Sequence, residues 1–191
     1  MKRLFVAIKI NPDAGFTDQF RQLKTTLQQE KIKWVEEYNN HITLKFLGET
    51  EEKKIPEIEN ALSMVAVLHS IFDIHLVGLG VFGSRYDPRV IWTGIEPRQE
   101  LVSLMQKIHQ ALEPAGFQPD RQNLVPHLTL GRIREIKDKE RFRGIIDQFR
   151  EISSVTMPVT RFILYESILK KEGPVYISLK SFNLKEQISQ G

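Results

Sequence analysis

His41-Ile42-Thr43-Leu44 and His127-Leu128-Thr129-Leu130 are near-copies of one pattern. In each, a histidine and a threonine stand two residues apart among aliphatic residues suited to a buried strand. A strand points residues i and i+2 to the same face. Each copy therefore presents an imidazole and a hydroxyl together, while its aliphatic residues turn to a core. One copy alone reads as an ordinary structural strand. Two copies, 86 positions apart in a chain of 191 residues, imply two similar halves that face each other across a cleft. Burying an imidazole or hydroxyl without a partner costs about 1–3 kcal/mol. Four such groups on apolar strands therefore point to a lined cavity. Two histidines over one cleft can act as general base and general acid, and two threonines beside them can hold a phosphate.

Working outward, residues 3–10 predict a strand and 14–30 a helix, with Phe16, Phe20, Leu23 and Leu27 at helical spacing. Trp34-Val35 and then 41–47 read as strands, the latter stopped by Gly48. Residues 51–68 predict an amphipathic helix whose acidic start suits its dipole. Residues 72–82 and 90–94 are expected as strands joined by a turn at 83–88. A helix over 101–112 closes at Glu113-Pro114, and a loop containing Pro119 and Pro126 leads to the second motif strand, 127–133. A helix at 137–150 precedes two closing strands, 154–169 and 175–184, joined around Gly173-Pro174. Both halves run strand, helix, motif strand, helix, strand, with the crossover in 72–95. No glycine-rich phosphate loop favours a doubly wound sheet. The expected class is α+β: one domain over 1–191, built of two related lobes, each an antiparallel sheet backed by helices.

The hydrophobic fraction of 41% and charged fraction of 27% are those of an ordinary globular protein. No apolar run approaches the roughly 18–20 residues that cross a bilayer. The start, Met1-Lys2-Arg3 and then five apolar residues, imitates a signal peptide only until Lys9. Cysteine is absent, which excludes disulfides, a thiolate nucleophile and cysteine metal sites, and a reducing, cytoplasmic setting is the simple inference. A net charge of +3 is compatible with a polyanionic partner but small for a protein that coats nucleic acid.

The two histidines lack HExxH, cysteine and clustered aspartates, so no metal or other cofactor is expected. No GxSxG elbow supports a serine triad. His69, His75 and His109 have no threonine partner and read as surface or core residues. Strict alternation puts Arg132 opposite His127 and Thr129, unless twist or a bulge turns it back toward an anion or a base. Lys45 shares the parity of His41 and Thr43 but reads as a solvated strand-end lysine. Phe5 reads either as core or as a platform for a base. The basic run Arg132, Arg134, Lys137, Lys139, Arg141 and Arg143 could attract RNA, although a solvated helix start accounts for most of it.

At these residues the chain resembles the bacterial and archaeal RNA 2′,3′-cyclic phosphodiesterases, also called 2′–5′ RNA ligases, of the 2H phosphoesterase superfamily. The resemblance spans nearly the whole chain: Arg3-Leu4-Phe5-Val6-Ala7-Ile8, the first motif extended through Lys45-Phe46-Leu47-Gly48, and Pro88-Arg89-Val90-Ile91-Trp92. It continues with Pro126 and the second motif through Gly131-Arg132, then Leu164-Tyr165-Glu166-Ser167 and Gly173-Pro174-Val175-Tyr176. Val81-Phe82-Gly83 departs from it, since a proline often follows that phenylalanine. The resemblance implies a pseudo-twofold, two-lobed α+β fold with both motifs in a central cleft. It also implies hydrolysis of RNA 2′,3′-cyclic phosphates to 2′-phosphates, with a capacity for 2′–5′ ligation of tRNA halves without nucleotide energy. In it His127 is the base that activates water, His41 the acid that protonates the 3′-oxygen, and Thr43 and Thr129 hold the phosphate. Arg132 matches an arginine associated with the nucleotide, and Phe5 is the nearest match to a base-stacking phenylalanine. The partner implied is RNA with a 2′,3′-cyclic phosphate end, without a membrane, bound by a monomer. An RNA-end binding module, or a phosphodiesterase for 2′–5′ oligonucleotides or another cyclic phosphate, remains an alternative.

Overall fold

Alternation builds the first strand: Leu4, Val6 and Ile8 enter one apolar cluster, while Phe5, Ala7 and Lys9 point to the other face. The computed structural model describes residues 1–84, 86–118, 125–171 and 173–186. The loop expected at Pro119, Arg85 of the 83–88 turn and Glu172 beside the last turn lie outside them. Along the chain come β1 (Lys2–Lys9), α1 (Ala14–Thr26), β2 (Lys31–Trp34), β3 (His41–Thr50), α2 (Ile55–Leu68), β4 (Phe72–Gly83) and β5 (Pro88–Glu96). Then follow α3 (Arg98–Leu112), β6 (Leu128–Glu135), α4 (Lys139–Gln148), β7 (Met157–Val159), β8 (Arg161–Leu169) and β9 (Pro174–Asn183).

The strands form one curled antiparallel sheet, a half-barrel, in the order β7-β4-β5-β6-β3-β1-β8-β9, with β2 paired to β6. The α+β class holds. The expectation of a separate sheet for each lobe is corrected, because the two motif strands are themselves neighbours. They meet at a single pair, Ile42 with Leu128, both 0% exposed. At that depth an unpaired main-chain group is costly, and pairing the two edges removes the cost. Beyond this seam β2 takes over the same edge of β6, with Trp34 opposite Gly131 and Ile32 opposite Ile133. A β-carbon at Gly131 would come within 2.8 Å of the Trp34 ring, so only glycine admits β2 here.

Helices pack against one face of the sheet, α2 against α3 and β9, α3 against β3, and α4 against β4. Their buried residues, among them Phe16, Phe20, Leu62, Leu104 and Ile108, join Leu44, Leu130 and Leu164 of the strands in one core. Burial of this kind is the main stabilising term. The helix start at α1 is fixed by Asp13, whose carboxylate accepts from Phe16 N–H at 3.1 Å and Val155 N–H at 2.9 Å.

Two boundaries differ for physical reasons. Gly48 does not stop β3; at φ 70° it sits in a bulge, where Leu4 pairs with Gly48 and Phe5 with Phe46, and the strand runs on to Thr50. The strand expected over 154–169 is two, because β7 pairs with β4 at one end of the sheet order and β8 with β1 and β9 near the other. Only Thr160 separates them. The ends of the sheet are therefore drawn together, which is the curl that makes a cleft.

Candidate active site

Both motif strands carry a bulge at the leucine of the motif. In β3, Thr43 pairs with Ala7 and Lys45 with Val6, leaving Leu44 extra. In β6, Thr129 pairs with Trp92 and Gly131 with Ile91, leaving Leu130 extra. An extra residue reverses the alternation beyond it. Arg132 therefore returns to the face of Thr129, and Phe46 to that of Thr43. Lys45 goes the other way. The expected solvated lysine is 2% exposed, and its Nζ donates to Gln118 O at 2.6 Å.

The register through Ile42 and Leu128 sets His41 across from Thr129, and His127 across from Thr43. His41 Nδ1 lies 2.6 Å from Asn39 O, and His127 Nδ1 lies 2.9 Å from Val125 O. A carbonyl only accepts, so each Nδ1 carries hydrogen and donates, and each Nε2 is left for chemistry. Both rings are tied in the same way to the carbonyl two residues upstream. Burial pushes both histidines below their ordinary value, against the opposing pull of these carbonyls. The charges of Lys9 and Arg132, with His127, depress His41 further, and Arg132 depresses His127.

Each ring rests on aromatic neighbours. His41 is 5.2 Å from Phe5 and 5.1 Å, edge to face, from Tyr176. His127 is 4.8 Å from Phe82 in the same T-shaped manner, and Trp92 stacks on Phe82 at 4.8 Å. Such contacts fix the ring plane. Phe5 itself is 3% exposed, enclosed by His41, Phe46, Tyr165 and Tyr176. Of its two readings, this placement is the core one: Phe5 packs against His41, and its neighbour Phe46 is 64% exposed. Thr43 and Thr129 are half-buried, and Arg132 is exposed.

A family model for LigT-like phosphoesterases matches residues 10–92 and 95–176, one stretch around each motif. The chain belongs to this family. The RNA 2′,3′-cyclic phosphodiesterase of Archaeoglobus fulgidus is 36% identical over 181 residues, 94% of this chain and 99% of that one. Its namesake from Methanothermobacter thermautotrophicus is 31% identical over 184 residues, covering 95% and 98%. Among solved structures, TT0787 of Thermus thermophilus has the same fold, with a TM-score of 0.79 at 26% identity, covering 97% of this chain and 99% of that one.

In this LigT-like phosphoesterase the cleft face also holds residues that motif reading missed. Lys9, opposite His41 on β1, is one; its Nζ donates to Tyr38 O. Tyr176, Phe82 and Trp92 are others. Their placement depends on which strands pair, which the local pattern does not carry. Much of the basic run is structural or solvated: Arg141 ties α4 to Thr26 O at 3.2 Å and Gln29 Oε1 at 3.1 Å, and Lys139 reaches Tyr86 O at 2.7 Å. Of the other histidines, His69 and His109 are core residues, each 4% exposed. Among the described residues no group of three or more His, Cys, Asp or Glu comes together as a metal cage. No helix among them is long and apolar enough to cross a membrane.

Proposed function

We propose that this phosphoesterase hydrolyses RNA 2′,3′-cyclic phosphate ends to 2′-phosphomonoesters, with His127 as base and His41 as acid. The observation that carries this reading is the matched tethering of the two imidazoles, each through Nδ1 to a carbonyl, each facing the other motif's threonine. The name shared by the relatives from A. fulgidus and M. thermautotrophicus supports the substrate class. Water attacks the phosphorus in line with the P–O3′ bond, and His127 Nε2 takes its proton. The P–O3′ bond breaks, the oxygen receives a proton from His41 Nε2, and the phosphate stays on O2′. Thr43 and Thr129 donate to the non-bridging oxygens, where charge builds in the transition state.

The depressed histidines fit a site that receives an anion. Without substrate, burial first and then the charge of Arg132 disfavour a proton on both imidazoles, with Lys9 adding to this at His41. A bound phosphodiester brings a negative charge that favours protonation of the acid. If a 5′-hydroxyl replaces water, the same two proton transfers give a 2′–5′ linkage without nucleotide energy, and tRNA halves would be substrates of this kind. No cofactor enters either step, and the cleft is complete within a monomer.

An end-group assay tests the reading. RNA ending in a 2′,3′-cyclic phosphate is expected to yield the 2′-phosphomonoester alone. Tight binding without turnover would make the protein an RNA-end binding module, and turnover confined to 2′–5′ oligonucleotides would move the substrate class.

A further inference from the structure

The two motif strands meet one local problem with different donors. A bulge interrupts the regular ladder at its extra residue. Here the extra residues are Leu44 and Leu130, 1% and 0% exposed, where an unsatisfied carbonyl is expensive. In β6 the main chain supplies a donor: Val35 N–H bonds Leu130 O at 2.8 Å. In β3 a side chain does so. His109 of α3 lies with Nε2 3.1 Å from Leu44 O, and since a carbonyl only accepts, the imidazole donates.

His41 and Thr43 precede Leu44 on the same strand, and Lys45 follows it. We propose that His109 is a positioning residue for the first half of the active site. Its bond to Leu44 O holds the bulge that keeps Thr43 and Phe46 on the cleft face and sends Lys45 to the helix face. Lys45 Nζ, bonded to Gln118 O at 2.6 Å, anchors the next residue from the same side. Helix α3 thereby sets the strand that carries the acid histidine, although His109 touches no substrate. The effect on turnover rests on the proposed roles of His41 and Thr43; the effect on the strand does not.

The test compares His109→Gln with His109→Asn. The glutamine amide reaches the position of Nε2 and can still donate to Leu44 O; the asparagine amide falls short. Two readouts are taken: kcat and KM on an RNA 2′,3′-cyclic phosphate, and the carbonyl carbon resonance of Leu44 by NMR. His109→Asn is expected to move that resonance upfield and to lower kcat on the order of tenfold, with KM within about twofold, since small misplacements of reacting groups are costly. His109→Gln is expected to restore both. His69→Asn, an equally buried histidine without a bond to either motif strand, is expected to leave both unchanged. Should His109→Asn not fold, His109→Met, of matching length without a donor, replaces it. An unmoved Leu44 resonance, equal kcat in the Gln and Asn variants, or an equal loss in His69→Asn would overturn the inference. A wild-type protein that turns over no cyclic phosphate would sink the proposed function instead, and the Leu44 resonance would then decide the positioning claim alone.

Discussion

The half-site around His41 and the half-site around His127 share a motif, a bulge at the same leucine and a tether from Nδ1 to a carbonyl. They part at the two residues after the bulge. The first half has Lys45 and Phe46 where the second has Gly131 and Arg132. Lys45 is drawn into the helix side, whereas Gly131 is bare so that Trp34 can pack on it. At the next position one half offers a ring and the other a guanidinium to the same cleft. Their fields differ too: Lys9, Arg132 and His127 all oppose a proton on His41, but Arg132 alone opposes one on His127. The same motif is thus set in two different surroundings.

The largest test of that comparison removes the shared part. His41→Ala and His127→Ala are each expected to lower kcat by about 10²–10⁴-fold, with circular dichroism unchanged. Residual activity above about a tenth in either variant would show that its half lacks an acid–base role. Next come Thr43→Val and Thr129→Val, which keep shape and strand propensity and lose the hydroxyl. A loss on the order of 10²-fold in kcat is expected from each. Unchanged kinetics in one and not the other would show that only one half holds the phosphate.

A smaller effect separates the halves. Arg132→Gln is expected to raise KM about tenfold or more, since a bond to a charged group is worth roughly 1.5–3 kcal/mol. Because Arg132 depresses both histidines, its removal should also raise both, and the ascending limb of kcat/KM should move to higher pH. A shift in KM without that movement would place Arg132 on the substrate but away from the histidines.

The smallest effect is on stability. Burial holds His41, His127 and His69 below their ordinary range. The unfolded chain takes up these protons near pH 6.5, before the folded one does. Stability conferred by the neutral forms is therefore full above about pH 6.5 and falls as the pH drops toward the folded values. Tm should decline from pH 7 to pH 5, and less steeply in the His41→Gln, His127→Gln double variant. A flat Tm would show that the histidines are not depressed.

Much of this molecule was legible in the chain. The repeated His-x-Thr spacing picked out the two strands that meet at Ile42 and Leu128, and helical periodicity located Phe16, Phe20 and Leu23 on the buried face of α1. What stayed hidden depends on pairing between distant strands. Alternation alone misplaced Arg132 and Lys45, because a bulge at Leu44 or Leu130 leaves no mark in local composition. The seam between β3 and β6 was likewise unreadable, and with it the single sheet. The hydrogen bonds at these residues, from the two motif histidines to Asn39 O and Val125 O and from His109 to Leu44 O, all end on main-chain carbonyls, which every sequence has. Phe5 shows the reverse case: a phenylalanine on the cleft face by parity, yet covered by Tyr165 and Tyr176 from strands more than 150 residues away.

The two-histidine chemistry is tested most directly by the pH dependence of kcat/KM on an RNA 2′,3′-cyclic phosphate, measured in excess chelator. One neutral and one protonated imidazole give a bell, whose two apparent pKa values belong to the coupled pair. With both groups depressed by burial and positive charge, its maximum should lie on the acid side of neutrality, with activity retained without added divalent ions. A rate that instead climbs steadily to high pH, and that EDTA abolishes until one divalent ion is restored, would contradict it.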